Sequence, residues 1–230
     1  MSKFYISILL SFWSIFLFAQ KEKDSLVIND TILEVEKTPI KIRVGFDVGK
    51  FVLAQLKDSQ SVDFTVDVNY KKYFGILEIG AETRNIDTSL LKYDVKGNYF
   101  RLGFDYDLYD NWTGMDNNIT LGLRYGYAKF DSHLYNYTVN QPNNIWQPVQ
   151  HAVSLPFNGL SANWIEVVSK VQVETFKNLY LGYSISFKYL LNTTELDTFE
   201  VGYIPGFFNK NSLSNIGFGM QYVISYKFDF

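Results

Sequence analysis

Three kinds of side chain in this sequence could do chemistry: two histidines, a large set of alternately spaced charges, and aromatics clustered in polar stretches. His133 and His151 share one long polar stretch with Asp131, Ser132 and Ser154. A Ser–His–Asp arrangement or a two-histidine metal site would draw on those residue types. No ligand spacing such as HExxH accompanies them. "RLGFDYDLYDNWTGMDN" carries Asp105, Asp107, Asp110 and Asp116, but not at the spacing of a calcium-binding loop. Cysteine is absent, which removes a thiol nucleophile, a disulfide scaffold, an all-cysteine metal site and a cysteine-anchored lipoprotein. The expectation is a non-enzymatic protein with no metal and no cofactor.

The charges are more informative, because they recur at every second residue opposite large apolar ones. Arg43, Asp47, Asp67, Glu78, Glu82, Arg101, Asp105, Arg124, Glu166, Lys170 and Lys188 all occupy such positions, as do Asp63, Arg84, Asp107, Glu174 and Lys227. If these face the interior of a small closed barrel, they must pair to fill it, because that space is only wide enough for side chains. The expected outcome is a salt-bridged plug. A narrow ion or proton path through the same carboxylates is the alternative.

The third set lies between the alternating segments. Tyr135, Tyr137, Trp146 and Phe157 sit among Asn and Gln, and "VGYIPGFFNKN" carries Tyr203, Pro205, Phe207 and Phe208. Exposed, these would form a contact surface for a partner or for lipopolysaccharide. Packed on one another, they would close a barrel's mouth. Both expectations stand at this point.

The elements that must position these residues have a period of two, which marks strands with unlike faces. Alternation runs through "KIRVGFDVGKFV", "VDFTVDVNY", "ILEIGAETR", "YFRLGFDYDLY", "NITLGLRYGY", "NWIEVVSKVQVET", "LYLGYSISFKY" and the closing "IGFGMQYVISYKFDF". The last segment continues to Phe230. At about 3.3 Å per residue it would span roughly 50 Å, far longer than an average globular strand. Connections between these segments alternate between short ("KKY", "DNWTGMDN", "FKN") and long ("LAQLKDSQS", "NIDTSLLKYDVKGN", residues 131–162 and 192–215), and all five prolines fall between the expected strands. Centring the "FKN" hairpin near Lys177 sets Glu166 against Lys188 and Lys170 against Ser184, a favourable register on the polar face.

Composition separates a membrane barrel from a soluble sandwich. Aromatic content is 18%, with 20 Phe and 17 Tyr, while net charge is only −3. Mean hydropathy is −0.07 and pI is near 5.4. No electrostatic footprint for nucleic acid exists. Aromatics at this density suit the lipid-facing bands and girdles of a membrane barrel. The chain opens with Lys3 followed by "FYISILLSFWSIFLFA", which reads as an export signal and is short for the usual span of about 20 residues. The expected organisation is a cleaved signal peptide over 1–20, a periplasmic lead over 21–39, and a barrel over 40–230. That barrel is all-β: an eight-stranded antiparallel transmembrane β-barrel of outer-membrane type.

"YDNWTGMDNNITLGLRYGYAKF", "FNGLSANWIEVV", "NLYLGYSISF" and "YIPGF" resemble an uncharacterised outer-membrane barrel family of the Bacteroidota, a domain of unknown function. The resemblance covers about Ile40 to Phe230 and implies a signal peptide and an outer-membrane location, without an activity. The final strand, with Tyr226, Phe228 and Phe230, resembles in a general way the signal read by the outer-membrane insertion machinery. These strands together give the functional expectation of a structural, docking or accessory barrel, with both termini periplasmic. Its expected partners are outer-membrane lipid, lipopolysaccharide, the insertion machinery and other envelope proteins. A small transport or ligand-binding barrel using the charged lumen is the alternative, with a surface enzyme behind it.

Overall fold

Alternation becomes pairing in the computed structural model, which describes residues 40–56, 59–111, 116–139, 149–196, 201–210 and 214–229. The strands are β1 (Lys41–Asp47), β2 (Gln60–Tyr70), β3 (Tyr73–Asp87), β4 (Leu91–Asp107), β5 (Asn118–Val139), β6 (Val149–Phe176), β7 (Leu179–Thr193), β8 (Tyr203–Ile204), β9 (Phe208–Asn209) and β10 (Ile216–Asp229), with a helix α1 (Val48–Leu56) after β1. β1 to β7 and β10 close into a barrel in the order β1-β10-β7-β6-β5-β4-β3-β2, every neighbour antiparallel. The fold is therefore an eight-stranded transmembrane barrel, and the last strand does pair with the first, Lys41 opposite Asp229 and Asp47 opposite Val223. No described helix is long and apolar enough to cross a membrane.

The faces divide as a barrel in lipid requires. Phe64, Leu102, Phe104, Phe187, Met220 and Tyr222 stand outside and remain 46–62% exposed to the surroundings. Alternating with them, Asp63, Arg101, Asp105, Lys188 and Gln221 are buried inside. The register across the β6–β7 hairpin places Glu166 against Lys188 and Lys170 against Ser184. Asn178 takes a left-handed conformation (φ 64°) in the two-residue turn, a role Asn fills at little cost.

Several connections differ from expectation. The segment read as one strand through Val48 stops at Asp47, and α1 follows. Asp47 Oδ1 accepts the Lys50 N–H at 2.9 Å, capping the helix. β3 and β4 are joined by only Thr88, Ser89 and Leu90, not by a long loop, because both strands run on past the lipid-facing band. Much of the stretch read as a loop over 131–162 is likewise strand. β5 is 22 and β6 28 residues long, and together with the far ends of β3 and β4 they form a lip that rises on one side of the mouth. Pro156 consequently lies inside a strand. It is tolerated because β6 pairs only with β5 there, its ladder with β7 starting at Ala162, and register shifts in the β5–β6 ladder flank it.

The expected signal peptide (1–20) and lead (21–39) lie outside the described residues, as do Trp146 and Phe230.

Candidate functional site

The interior has two storeys. In the lower one, towards the end where Lys41 and Asp229 lie, charges from opposite walls meet in a continuous chain. Arg43 donates to Asn118 at 2.7 Å and pairs with Asp67 at 3.3 Å. Lys170 bridges Asp67 and Asp105, each at 3.2 Å. Arg124 reaches Asp105 at 3.4 Å and also pairs with Glu78. Arg101 sits at the centre, 2.6 Å from Glu78, 3.0 Å from Asp63 and 3.9 Å from Glu166. Lys188 is 3.5 Å from Glu166, while Lys50 is 3.7 Å from Asp63 and 3.2 Å from Glu82. Among the described residues, six cations (Arg43, Lys50, Arg101, Arg124, Lys170, Lys188) thus face six carboxylates (Asp63, Asp67, Glu78, Glu82, Asp105, Glu166). Each ion is desolvated by the wall, so balance is what makes the interior tolerable. The void among Arg43, Asp67, Glu78, Arg124, Lys170 and Gln221 measures about 20 Å³, room for about one water.

The upper storey is apolar and is filled by an inserted piece of chain. Val201, Tyr203, Ile204 and Phe207 are at most 8% exposed and pack with Tyr93, Tyr99, Phe130, Leu160, Trp164 and Leu190 from the wall. β8 and β9 form a tight hairpin through Pro205 and Gly206. Gly206 has φ +78°, and a Cβ there would lie 2.6 Å from the Tyr99 ring, so only glycine fits. Phe207 meets Trp164 edge to face at 5.8 Å between centroids. The hairpin is bolted to the charges below it: the Tyr203 hydroxyl donates to Glu82, and Lys188 Nζ donates to the Gly206 carbonyl at 2.5 Å. Arg84 covers the Tyr203 ring at 4.4 Å.

This arrangement corrects part of the sequence-based site. Tyr203, Pro205 and Phe207 are buried and Phe208 half-buried, so they close the mouth instead of forming an exposed contact surface. Tyr135 is exposed on the lip and Tyr137 half-buried. Asp47, placed among the lumen charges by its spacing, is buried but serves as helix cap and also accepts the Tyr222 N–H at 3.4 Å. Arg43, Asp67, Glu78, Glu82, Arg101, Asp105, Arg124, Glu166, Lys170 and Lys188 are brought together as described. Sequence reasoning missed Lys50, which reaches in from α1, and the hydrogen-bonded aromatics: Trp164 Nε1 donates to Glu166 at 2.6 Å, and Tyr99 donates to Asp63 at 2.5 Å. Only the two-residue offset of Trp164 from Glu166, on one strand face, hinted at this.

Tyr226 and Phe228 stand on the outer face, their rings 5.0 Å apart. On the lip, His133 Nε2 lies 2.9 Å from Ser154 Oγ, and its ring stacks on Tyr135 at 4.5 Å. His151 stacks on Tyr137 at 5.3 Å. Among the described residues no carboxylate hydrogen-bonds or ion-pairs with His133, and no three His, Cys, Asp or Glu side chains are grouped to hold a metal ion. At the opposite end, burial would raise the Asp116 carboxyl, but hydrogen bonds from Lys227 and Tyr180 and the charge of Lys41 outweigh it and hold it at about 2.

A match to the DUF6048 family model, a domain of unknown function, spans residues 1–230. The chain belongs to the DUF6048 family. No curated protein matches it. Among solved structures, this DUF6048 chain is similar to the attachment invasion locus protein Ail of Yersinia pestis, at 12% identity and a TM-score of 0.37, covering 83% of this chain and 99% of Ail. It is also similar to a major outer membrane protein of Thermus thermophilus, at 12% identity and a TM-score of 0.39, covering 83% of this chain and 98% of the other.

Proposed function

We propose that this protein is an outer-membrane anchor: a closed, non-conducting barrel, without catalytic chemistry, that holds a raised lip at the cell surface for docking. The observation that carries the reading is the filled interior, with paired charges below and the 201–210 segment packed above. The space among Arg43, Glu78 and Arg124 at the centre is only about 20 Å³, and the larger space of about 130 Å³ beside Lys41, Asp107 and Lys227 lies below it at the barrel end, so a transport path through the lumen has little support.

The outward face of the lip supplies the docking surface. It offers His133, Tyr135 and His151 with alternating charges such as Lys92, Asp94, Lys96 and Asp131. Lys41 and Asp229 lie at the same barrel end, opposite the lip. In the proposed orientation that end is periplasmic. Lipid and lipopolysaccharide surround the barrel, and Tyr226 and Phe228 sit where the insertion machinery would read them.

Planar-bilayer recording tests the reading: the full chain should insert without conductance steps, and regular open steps in the wild type would overturn it. Docking is tested by native co-purification in mild detergent. A complex retained by the wild type should be lost on Tyr135→Ala, with the barrel still shifting on unheated gels.

A further inference from the structure

The barrel wall is incomplete beside its mouth. β1 ends at Asp47, opposite Val223, and its ladder with β2 ends at the Phe46–Phe64 pair. β10 begins at Ile216 and β2 at Gln60, so residues 216–222 and 60–63 flank a notch with no strand between them. Backbone groups bared at membrane depth cost several kcal/mol each, and α1 occupies the gap. Gly49 lets it approach closely, since a Cβ there would lie 2.8 Å from the Tyr222 ring. Phe51 packs on Phe46 at 5.6 Å, and Phe46 on Phe64 at 5.5 Å, so the helix continues the apolar exterior. On its inner side Lys50 enters the lumen and donates to Tyr99 at 2.5 Å.

Between this helix and the wall lies a cavity of about 120 Å³. It is lined by the charged Lys50, Glu82 and Arg84 and by the apolar Leu53, Ala54 and Met220. Leu53 and Met220 are 55% and 51% exposed on the outer surface, so the cavity joins a charged interior to the surrounding lipid. Glu82 is already engaged by Lys50 and Tyr203, and Lys50 by Asp63 as well. Arg84 differs. It rests on the Tyr203 ring, and among the described residues no carboxylate lies within ion-pair distance of it. A half-buried guanidinium presents a planar fork that matches a carboxylate.

We infer that this cavity binds a single-chain amphiphile with an anionic head, of the fatty-acid class. The carboxylate sits against Arg84, and the chain leaves between α1 and β10, over Leu53 and Met220, into lipid. The volume is well below the roughly 300–1,000 Å³ that encloses a whole ligand, so it suits a head group and the start of one chain. The site does not depend on the docking role of the lip.

The test uses the full chain in neutral detergent with a palmitate probe bearing a mid-chain diazirine. Photolabelling should concentrate on α1 and the first half of β10. Palmitate should compete, while methyl palmitate and inorganic phosphate should not. Arg84→Gln should cut labelling about tenfold, the loss of one charge-assisted contact, with the gel shift of a folded barrel retained. Should that variant misfold, Met220→Trp, on the lipid-facing surface, should block the chain's exit and cut labelling alike. Label spread evenly over the lipid-facing strands, or unchanged in the folded variant, would overturn the inference. So would equal competition by methyl palmitate or by inorganic phosphate. Failure of the docking reading leaves this labelling unaffected, and loss of labelling leaves the bilayer and docking results unaffected.

Discussion

The two storeys of the interior solve one problem in opposite ways. Below, side chains from opposite walls meet across the lumen, and six cations pair with six carboxylates among the described residues. Above, the wall residues are Tyr93, Val95, Phe130, Leu160 and Leu190, and an inserted segment supplies the matching apolar surface. The lower storey is specified by charge balance and fails if one ion is lost; the upper is specified by shape and fails if volume is lost. Lys188 belongs to both, since its Nζ contacts Glu166 at 3.5 Å and the Gly206 carbonyl at 2.5 Å.

That contrast can be broken most severely at Arg101. Arg101→Met keeps the volume but takes one cation from Asp63, Glu78 and Glu166, leaving them to Lys50, Arg124 and Lys188, and should cost about 3–5 kcal/mol. Denaturant unfolding in detergent reads it. Phe207→Ala should cost about 3–4 kcal/mol through a cavity in the upper storey, read by the same unfolding measurement. The two changes combined should add within about 0.5 kcal/mol if the storeys are independent. Lys188→Met tests the link: paired with either change it should depart from additivity by about 1 kcal/mol.

The smallest effect belongs to the far end. Asp116 titrates at about 2 in the fold against an ordinary 3.8, so its contribution is complete above about pH 4 and disappears as pH falls through 2. Asp116→Asn should lose about 1 kcal/mol near neutrality, discounted for partial exposure. Its stability should then be flatter between pH 4 and 2 than that of the wild type.

How much of this was legible depended on whether one strand sufficed to reveal it. The period of two placed Leu102, Phe104 and Phe187 outside and Arg101, Asp105 and Lys188 inside, and the β6–β7 register followed from one turn and one charge pair. Lys50 was hidden because the alternation of Ile42, Val44 and Phe46 continues into Val48 without a break, and only the cap made by Asp47 ends the strand. Phe74, Ile76, Trp164 and Val168 face inward although they are apolar, so the polar face was never purely polar in sequence. The aromatics of "YIPGF" were visible as a cluster. Whether they pointed out or in depended on the tall wall of β3 to β6, whose strands outrun their alternating cores.

The shortness of β1 has a consequence for assembly. The seam that closes the ring pairs only seven residues of the first strand with the last. A one-residue slip would turn every lipid-facing side chain inward and reject itself. A slip of two preserves both faces, so hydrophobicity is blind to it. What detects that error is a polar contact across the seam: it would carry Asp47 from the Tyr222 N–H, while Arg43 keeps Asp67, its partner on the β2 side. The seam is proofread by its polar residues, and a barrel closed two residues out of step would be recognisable as a kinetically trapped species that acid or salt releases.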